Sequence, residues 1–285
     1  MKEKIDNYLE LLTNELAKLE ELQPKNLDDH SLLLGVKFPI NDKSFNLKAS
    51  FMFKPPILNK IGSYQYDCLV KDQHNLFIID LALEIPKECW QKNDHFNYVY
   101  HRKRGLYLAY IGLKLQTFKS IVSSVEFGLQ NGDHLKPILL LTPAGKLSTF
   151  CQFKILPFPS QSKSFVFRNF SPNKCNVQAK VFDQNSKLQF SPLYNSSILK
   201  DITMPNYSNL MSEIFSNQSN VLDALVLLRI WLENRGLRKD FAHILTVFTS
   251  YLLKENLINP HLSGLQLFKS ILQFISNFSF VNLLF

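Results

Sequence analysis

The sequence predicts a mixed α/β fold of the α+β kind, followed by a purely helical unit. Two observations carry this. Strand-like stretches alternate with amphipathic helices up to Phe158, and the texture turns wholly helical from Asn220. A third, the composition, makes a packed core feasible: 46% of the 285 residues are hydrophobic and 20% charged, too apolar for a disordered chain. With 24 Phe, aromatic packing should dominate that core. Only 9 Gly are present, which argues against collagen-like sequence, flexible linkers and multi-Gly phosphate loops. Lys and Arg number 32 against 24 Asp and Glu, a net charge of +8, which favours a polyanionic partner without naming it.

The first element is a helix from about Lys4 to Leu22, because Ile5, Tyr8, Leu9, Leu12, Leu16 and Leu19 recur at three- and four-residue steps. Pro24 is expected to end it. The first 30 residues hold four Lys and eight Asp or Glu, so the remaining body carries 8 + 4 = +12. Strands are expected at Asn46–Phe53, Leu76–Ile85, Ser124–Gln130, Lys136–Thr142 and Ser148–Leu156. Between the second and third lies a helix capped by Asn93 or Asp94, with Val99, Leu106, Tyr110, Leu113 and Thr117 at its turns. A Ser-, Asn-, Gln- and Lys-rich stretch runs from Phe158 to about Asn217 and reads as loops with short strands near Phe165–Phe167 and Ala179–Phe182.

Beyond it, Val221, Leu225, Leu228 and Leu232 form a helical stripe that Gly236 should close. Asp240 begins a second helix through Leu253, and Ser263 with Gln266 forms a capping box for a third, through Ile275. A domain boundary is expected near Met204 to Asn217. The chain then stops on an apolar tail, FSFVNLLF, which is expected to dock back, meet a partner or mark an incomplete architecture. The N-terminus lacks a secretory signal and no run is long and apolar enough for a membrane span, so a soluble intracellular protein is expected. The four cysteines show no C-x-x-C pair or metal spacing and read as free thiols.

One motif carries chemistry. Ile61-Gly62-Ser63, followed by an apolar strand with Asp80, outlines the polymerase-β-like nucleotidyltransferase signature. Gly62 would let the backbone approach a triphosphate, with Ser63 and nearby N–H groups facing its oxygens. Such a strand needs carboxylates at i and i+2 to clamp two metal ions ~3.5–4 Å apart. Here Ile78 and Ala82 flank Asp80 at those positions, and Glu84 lies about 13 Å further along. Asp67 and Asp72 belong to the polar connection. On the expected neighbouring strand stands Lys136, which would repel Mg²⁺. An active enzyme using an unusual pair such as Asp80 with Asp72 is the alternative.

IGSY, then IIDLALEIP, YHRKRGLYLAYIGLKL (Tyr100–Leu115), NGDHLKPILLL (Asn131–Leu141) and ALVLLRIWLENRGL (Ala224–Leu237) together resemble the Nrap family of nucleolar RNA-associated proteins, in order and spacing over about Ile5 to Ile275. The resemblance implies a degenerate nucleotidyltransferase-like domain over residues 1–203. Residues 204–285 would then be the start of a poly(A)-polymerase-like helical domain, cut short here. It implies a non-catalytic scaffold of the small-subunit processome in the nucleolus, with pre-rRNA, small nucleolar ribonucleoprotein and other processome subunits as partners and no membrane. No catalytic residue, resident metal or cofactor is expected. Gly62, Ser63 and Asp80 are the carried-over positions, and Asp67 stands where the family loop favours Gly.

Basic residues supply the candidate RNA contacts. His101-Arg102-Lys103-Arg104, with Lys92, Lys114 and Lys119 nearby in sequence, could form a phosphate-facing patch or be satisfied within the protein. Cations so near a helix N-terminus need an anion nearby. Arg229, Arg235, Arg238 and Lys239 mark the helical unit. Tyr64, Tyr66, Tyr98 and Tyr107 could stack on bases or pack in the core. A purely protein-binding module of a nucleolar complex remains a third reading.

Overall fold

The computed structural model describes residues 2–29, 49–162, 164–177 and 191–277. The chain forms two compact units. One comprises Met1–Lys60 and Asp80–Pro205, the other Ile61–Ile79 and Asn206–Phe285. Residues 61–79 thus join the helices of the second unit.

The first unit opens with α1 (Lys2–Ala17), whose Ile5, Tyr8, Leu9, Leu12 and Leu16 are buried, the stripe the periodicity predicts. The helix ends at Ala17, well before Pro24. That proline instead lies in β1 (Leu22–Asn26), which pairs antiparallel with β2 (Ser50–Phe53) and breaks register between Leu22 and Lys25. A proline without an N–H is tolerated at such an irregular edge.

Among the described residues the main sheet has five strands: β3 (Ile57–Lys60), β4 (Phe77–Ile85), β5 (Val122–Gln130), β6 (Asp133–Pro143) and β7 (Cys151–Pro159), in the order β3-β4-β7-β6-β5. The pairs β3–β4, β5–β6 and β6–β7 are antiparallel. Across β4 and β7 the contacts advance together, from Lys154 on Asp80 to the Ser160 N–H on the Ile85 carbonyl, so these two run the same way and the sheet is mixed. β5 and β6 are joined at Asn131-Gly132, with φ of 53° and 75°. Positive φ at both turn residues suits the twist of a tight hairpin, and Asn-Gly adopts it at little cost.

α2 (Val99–Leu115) is buried along most of its length. It begins later than Asn93 or Asp94, because Asn97 and Tyr98 both take left-handed backbone, φ 50° and 62°, and cannot belong to the helix. Leu113, expected on its packed stripe, is exposed. Phe53 meets the rings of Tyr107 and Tyr110 at 4.8 and 4.4 Å, and Tyr8 stacks on Phe153 at 4.9 Å. The expected aromatic core is therefore real. The stretch read as loop holds instead α3 (Pro192–Phe215), a 24-residue helix with Pro205 inside it. Phe165–Phe167 is not a strand: Phe167–Phe170 is a 3-10 turn. Ala179–Phe182, residues 46–48 and the apolar tail from residue 278 lie outside the described residues.

In the second unit, α4 (Ser219–Glu233), α5 (Arg238–Lys254) and α6 (Gly264–Asn277) follow the predicted spans. α4 closes as a Schellman turn: Gly236 at φ 67° donates to the Glu233 carbonyl and Leu237 to the Leu232 carbonyl, both at 3.0 Å. The capping box of α6 is made, with the Ser263 N–H on Gln266 Oε1 at 3.0 Å and the Gln266 N–H on Ser263 Oγ at 3.4 Å. α6 crosses α4 so closely that a Cβ on Gly264 would lie 2.6 Å from Asp223 Cβ. Tyr66 and Cys68, from residues 61–79, are buried in one cluster with Met211, Phe215, Leu228, Leu252 and Leu267. Cys68, Cys89, Cys151 and Cys175 form no disulfide among the described residues. No helix among the described residues is long and apolar enough to cross a membrane.

Candidate functional site

The two halves of the nucleotidyltransferase outline sit in different units, and each has its own surroundings. In the second unit, Ile61 is extended and Gly62 turns at φ 68° into the 3-10 turn Gly62–Tyr64. A left-handed residue there requires the glycine. The Gly62 N–H, the amide that would face a phosphate, donates to Ser208 Oγ at 2.8 Å. Ser208 in turn donates to Gln65 Oε1, and Gln65 Nε2 reaches Asn209 Oδ1 at 2.9 Å. Ser63 is buried, and its carbonyl accepts the Cys68 N–H at 2.9 Å. Asp67 holds φ 57°, a left-handed backbone that glycine adopts more readily than a residue with a side chain.

In the first unit, Asp80 on β4 is half-buried and faces Lys154 Nζ of β7 at 3.5 Å. The lysine beside the strand carboxylate is therefore Lys154, not Lys136. The sequence order suggests β6 as the neighbour, but β7 is inserted between β4 and β6. Glu84, further along the same strand, accepts from the Ser160 hydroxyl. Among the described residues no group of three or more His, Cys, Asp or Glu gathers as a metal site would need.

The basic run on α2 is not a surface patch. Lys103 is 2% exposed and Arg104 fully buried. The Lys103 ammonium lies 2.6 Å from Asp94 Oδ2, and Asp94 also accepts the Gln91 N–H at 2.6 Å. Burial pushes the ammonium of Lys103 down and the carboxyl of Asp94 up, while their mutual attraction works the other way. Arg104 spreads its donors over the carbonyls of Pro157 and Pro137 and the Gln130 side chain, and its Nε stands 3.2 Å from Asp201 Oδ2.

Asp201, from α3, is the centre of this interior. It accepts the Tyr100 hydroxyl at 2.8 Å and Lys136 Nζ at 2.9 Å, besides facing Arg104. Lys136 also donates to the Ser197 carbonyl at 2.6 Å, and burial lowers its pKa. His101 meets Ser197 Oγ at 3.2 Å, and burial holds its pKa down to about 3. The anions that cations near a helix start require are thus supplied by the protein itself. Asp201 carries no local sequence mark, because the polar stretch around it reads as loop, although Tyr194, Ile198 and Ile202 recur at helical spacing.

The remaining candidates separate. Arg102 pairs with Asp28. Lys114 Nζ lies 5.4 Å from the centre of the Tyr110 ring, and Lys119 is exposed. Tyr64, Tyr66 and Tyr107 are buried, and Tyr98 meets Tyr194 edge-on at 5.0 Å, so these rings pack within the protein. Arg235 lies over the Trp231 ring at 4.4 Å. Arg229 is buried and donates to Thr246 Oγ1 at 3.2 Å.

Comparison with known proteins agrees with the resemblance read from the sequence blocks. Nrap protein domain 1 matches residues 17–217, and the Nrap protein PAP/OAS-like domain matches residues 220–285. Among curated relatives, Nucleolar protein 6 of Xenopus laevis is 34% identical over 284 residues, 95% of this chain and 24% of its own length. Nucleolar protein 6 of Mus musculus is 32% identical over 286 residues, 96% of this chain and 24% of the relative. That of Homo sapiens is 30% identical over 289 residues, 96% of this chain and 25% of the relative. The chain thus spans about a quarter of the length of these relatives. With the first domain pattern covering its α/β part and the second its helical part, the chain belongs to the Nrap family.

Proposed function

We propose that this chain is a non-catalytic, RNA-associated scaffold of the nucleolus that acts in pre-rRNA processing and small-subunit assembly within the processome. Family membership and relatives called Nucleolar protein 6 support the nucleolar setting. The observation that carries the non-catalytic reading is the Asp80–Lys154 pair at 3.5 Å. A two-metal site needs a second carboxylate beside the first, and an ammonium in that place repels the divalent ion. The Gly62 amide engaged by Ser208 supports the same reading, since a phosphate would have to displace that hydroxyl.

Incubating the chain with labelled nucleoside triphosphates, RNA and Mg²⁺ or Mn²⁺ should give no incorporation. Incorporation that disappears in Asp80→Ala would overturn the scaffold reading in favour of an active transferase. RNA association should weaken steeply between ~50 and ~200 mM salt, as phosphate-led binding does. Asp80→Ala should leave that association unchanged. In cells, the tagged protein should concentrate in the nucleolus and crosslink to pre-rRNA.

A further inference from the structure

A groove of about 370 Å³ opens beside the 3-10 turn Lys87–Cys89 of the first unit, lined by Lys87, Trp90, Gln91, Lys92, Ser162 and Ser164. Three of these residues are committed to its walls. Trp90 Nε1 donates to the Ile85 carbonyl at 3.2 Å, Ser164 Oγ to the Gln91 carbonyl at 2.6 Å, and Gln91 Nε2 to Ser50 Oγ. The other three are not. The Ser162 hydroxyl is closed off from solvent and has no hydrogen-bond partner among the described residues. Lys87 and Lys92 are both exposed, and neither enters an ion pair among the described residues.

Two ammonium groups at one groove repel each other, and an unmet buried hydroxyl is unfavourable. One kind of ligand relieves both: a tetrahedral oxyanion with several acceptor oxygens. Ser162 lines the groove, and its side chain has staggered χ1 wells in which the hydroxyl can seek a ligand there. The volume falls in the usual range for small-ligand sites, enough for a phosphate and the sugar it is attached to. We propose that the groove between Lys87, Lys92 and Ser162 binds a phosphate group, supplied in this chain by an RNA backbone. The choice of RNA as its source rests on the function proposed above.

The test uses the whole chain and a fluorescently labelled single-stranded RNA of about 20 nucleotides, read by polarisation over a series of salt concentrations. Lys87→Ala with Lys92→Ala should weaken binding about tenfold and reduce the salt slope by about 1.4, the value for two lost phosphate contacts on a single strand. Ser162→Ala should weaken it roughly threefold, and Lys146→Ala, an exposed lysine elsewhere on the unit, should change nothing. Circular dichroism verifies that each variant is folded. If the double variant binds with the parent's affinity and salt slope, the groove is overturned and the RNA reading stands. If the parent itself does not bind RNA at ~50 mM salt, the RNA reading falls. Pyrophosphate titrated against tryptophan fluorescence then decides the groove. A response lost in the double variant supports a phosphate site with another source, and no response in the parent overturns it.

Discussion

The two units stabilise their interiors by different means. The first buries Lys103, Arg104 and Lys136 with Asp94 and Asp201 as their anions. In the second, Arg229 is the one charged side chain buried among the described residues, and the rest is apolar contact, hydroxyls bonded to helix carbonyls and a glycine crossing. Both stretches look basic and amphipathic in sequence, HRKRGLYLAY and ALVLLRIWLENRG. The difference teaches that the first unit should be sensitive to the loss of a charge and the second to the addition of volume.

Asp201→Asn is the most severe way to break this comparison. It leaves Arg104 and Lys136 buried without their shared anion and should cost about 3–5 kcal/mol, read as early loss of the first unit in urea. A change below ~0.5 kcal/mol, the scale of ordinary surface substitutions, would show that the ionic interior is not what holds that unit. Gly264→Ala is the corresponding insult to the second unit. Its Cβ would stand 2.6 Å from Asp223 Cβ with helix backbone close behind, so a loss of about 1–3 kcal/mol in thermal unfolding is expected.

A pH series sharpens the contrast further. His101 is held down to about 3 from its ordinary 6.5 by burial. A depressed base excludes in the fold a proton that the unfolded chain accepts. Its contribution is therefore complete above pH 6.5 and is lost as pH falls toward 3. Between pH 7 and pH 5 the loss should be about 2 kcal/mol. His101→Gln should abolish that part of the pH dependence, and subtracting the variant's profile removes the opposite effect of Asp94, whose raised carboxyl loses stability as pH rises. The smallest effect belongs to Gly236→Ala, where φ is 67° and nothing crowds the position. The left-handed backbone alone should cost about 1 kcal/mol, seen in the melting of the second unit.

Local grammar was the legible part. Ser263, Gln266 and Gly236 announce the helix ends of the second unit because caps are made within a few residues. α3 was hidden because Asn, Ser, Thr and Pro205 mask its spacing, and its burial comes from tertiary contact rather than propensity. The start of α2 lies beyond Asn93 and Asp94 because left-handed Asn97 and Tyr98 intervene, and they carry no sequence mark beyond an Asn. The fate of Lys103 and Arg104 could not be read locally either. Asp201 lies 97 residues beyond Arg104, and whether a lysine faces solvent depends on which distant carboxylate the fold delivers. The same holds at Asp80, where the residue type was foreseen but strand order decided that the lysine would be Lys154.

The presence of Tyr66 and Cys68 in the core of the second unit has a consequence in time. Their covering residues, from Met211 onward, are synthesised only after the intervening first-unit sequence, 206 − 79 = 127 residues later. At ~5–20 residues per second, the segment waits roughly 6–25 s on the ribosome before its own core exists. During that interval the first unit can fold, while an aromatic ring and a reduced thiol of the second stay uncovered. Protein yield should therefore respond to elongation speed and chaperone supply between these two stretches of the message.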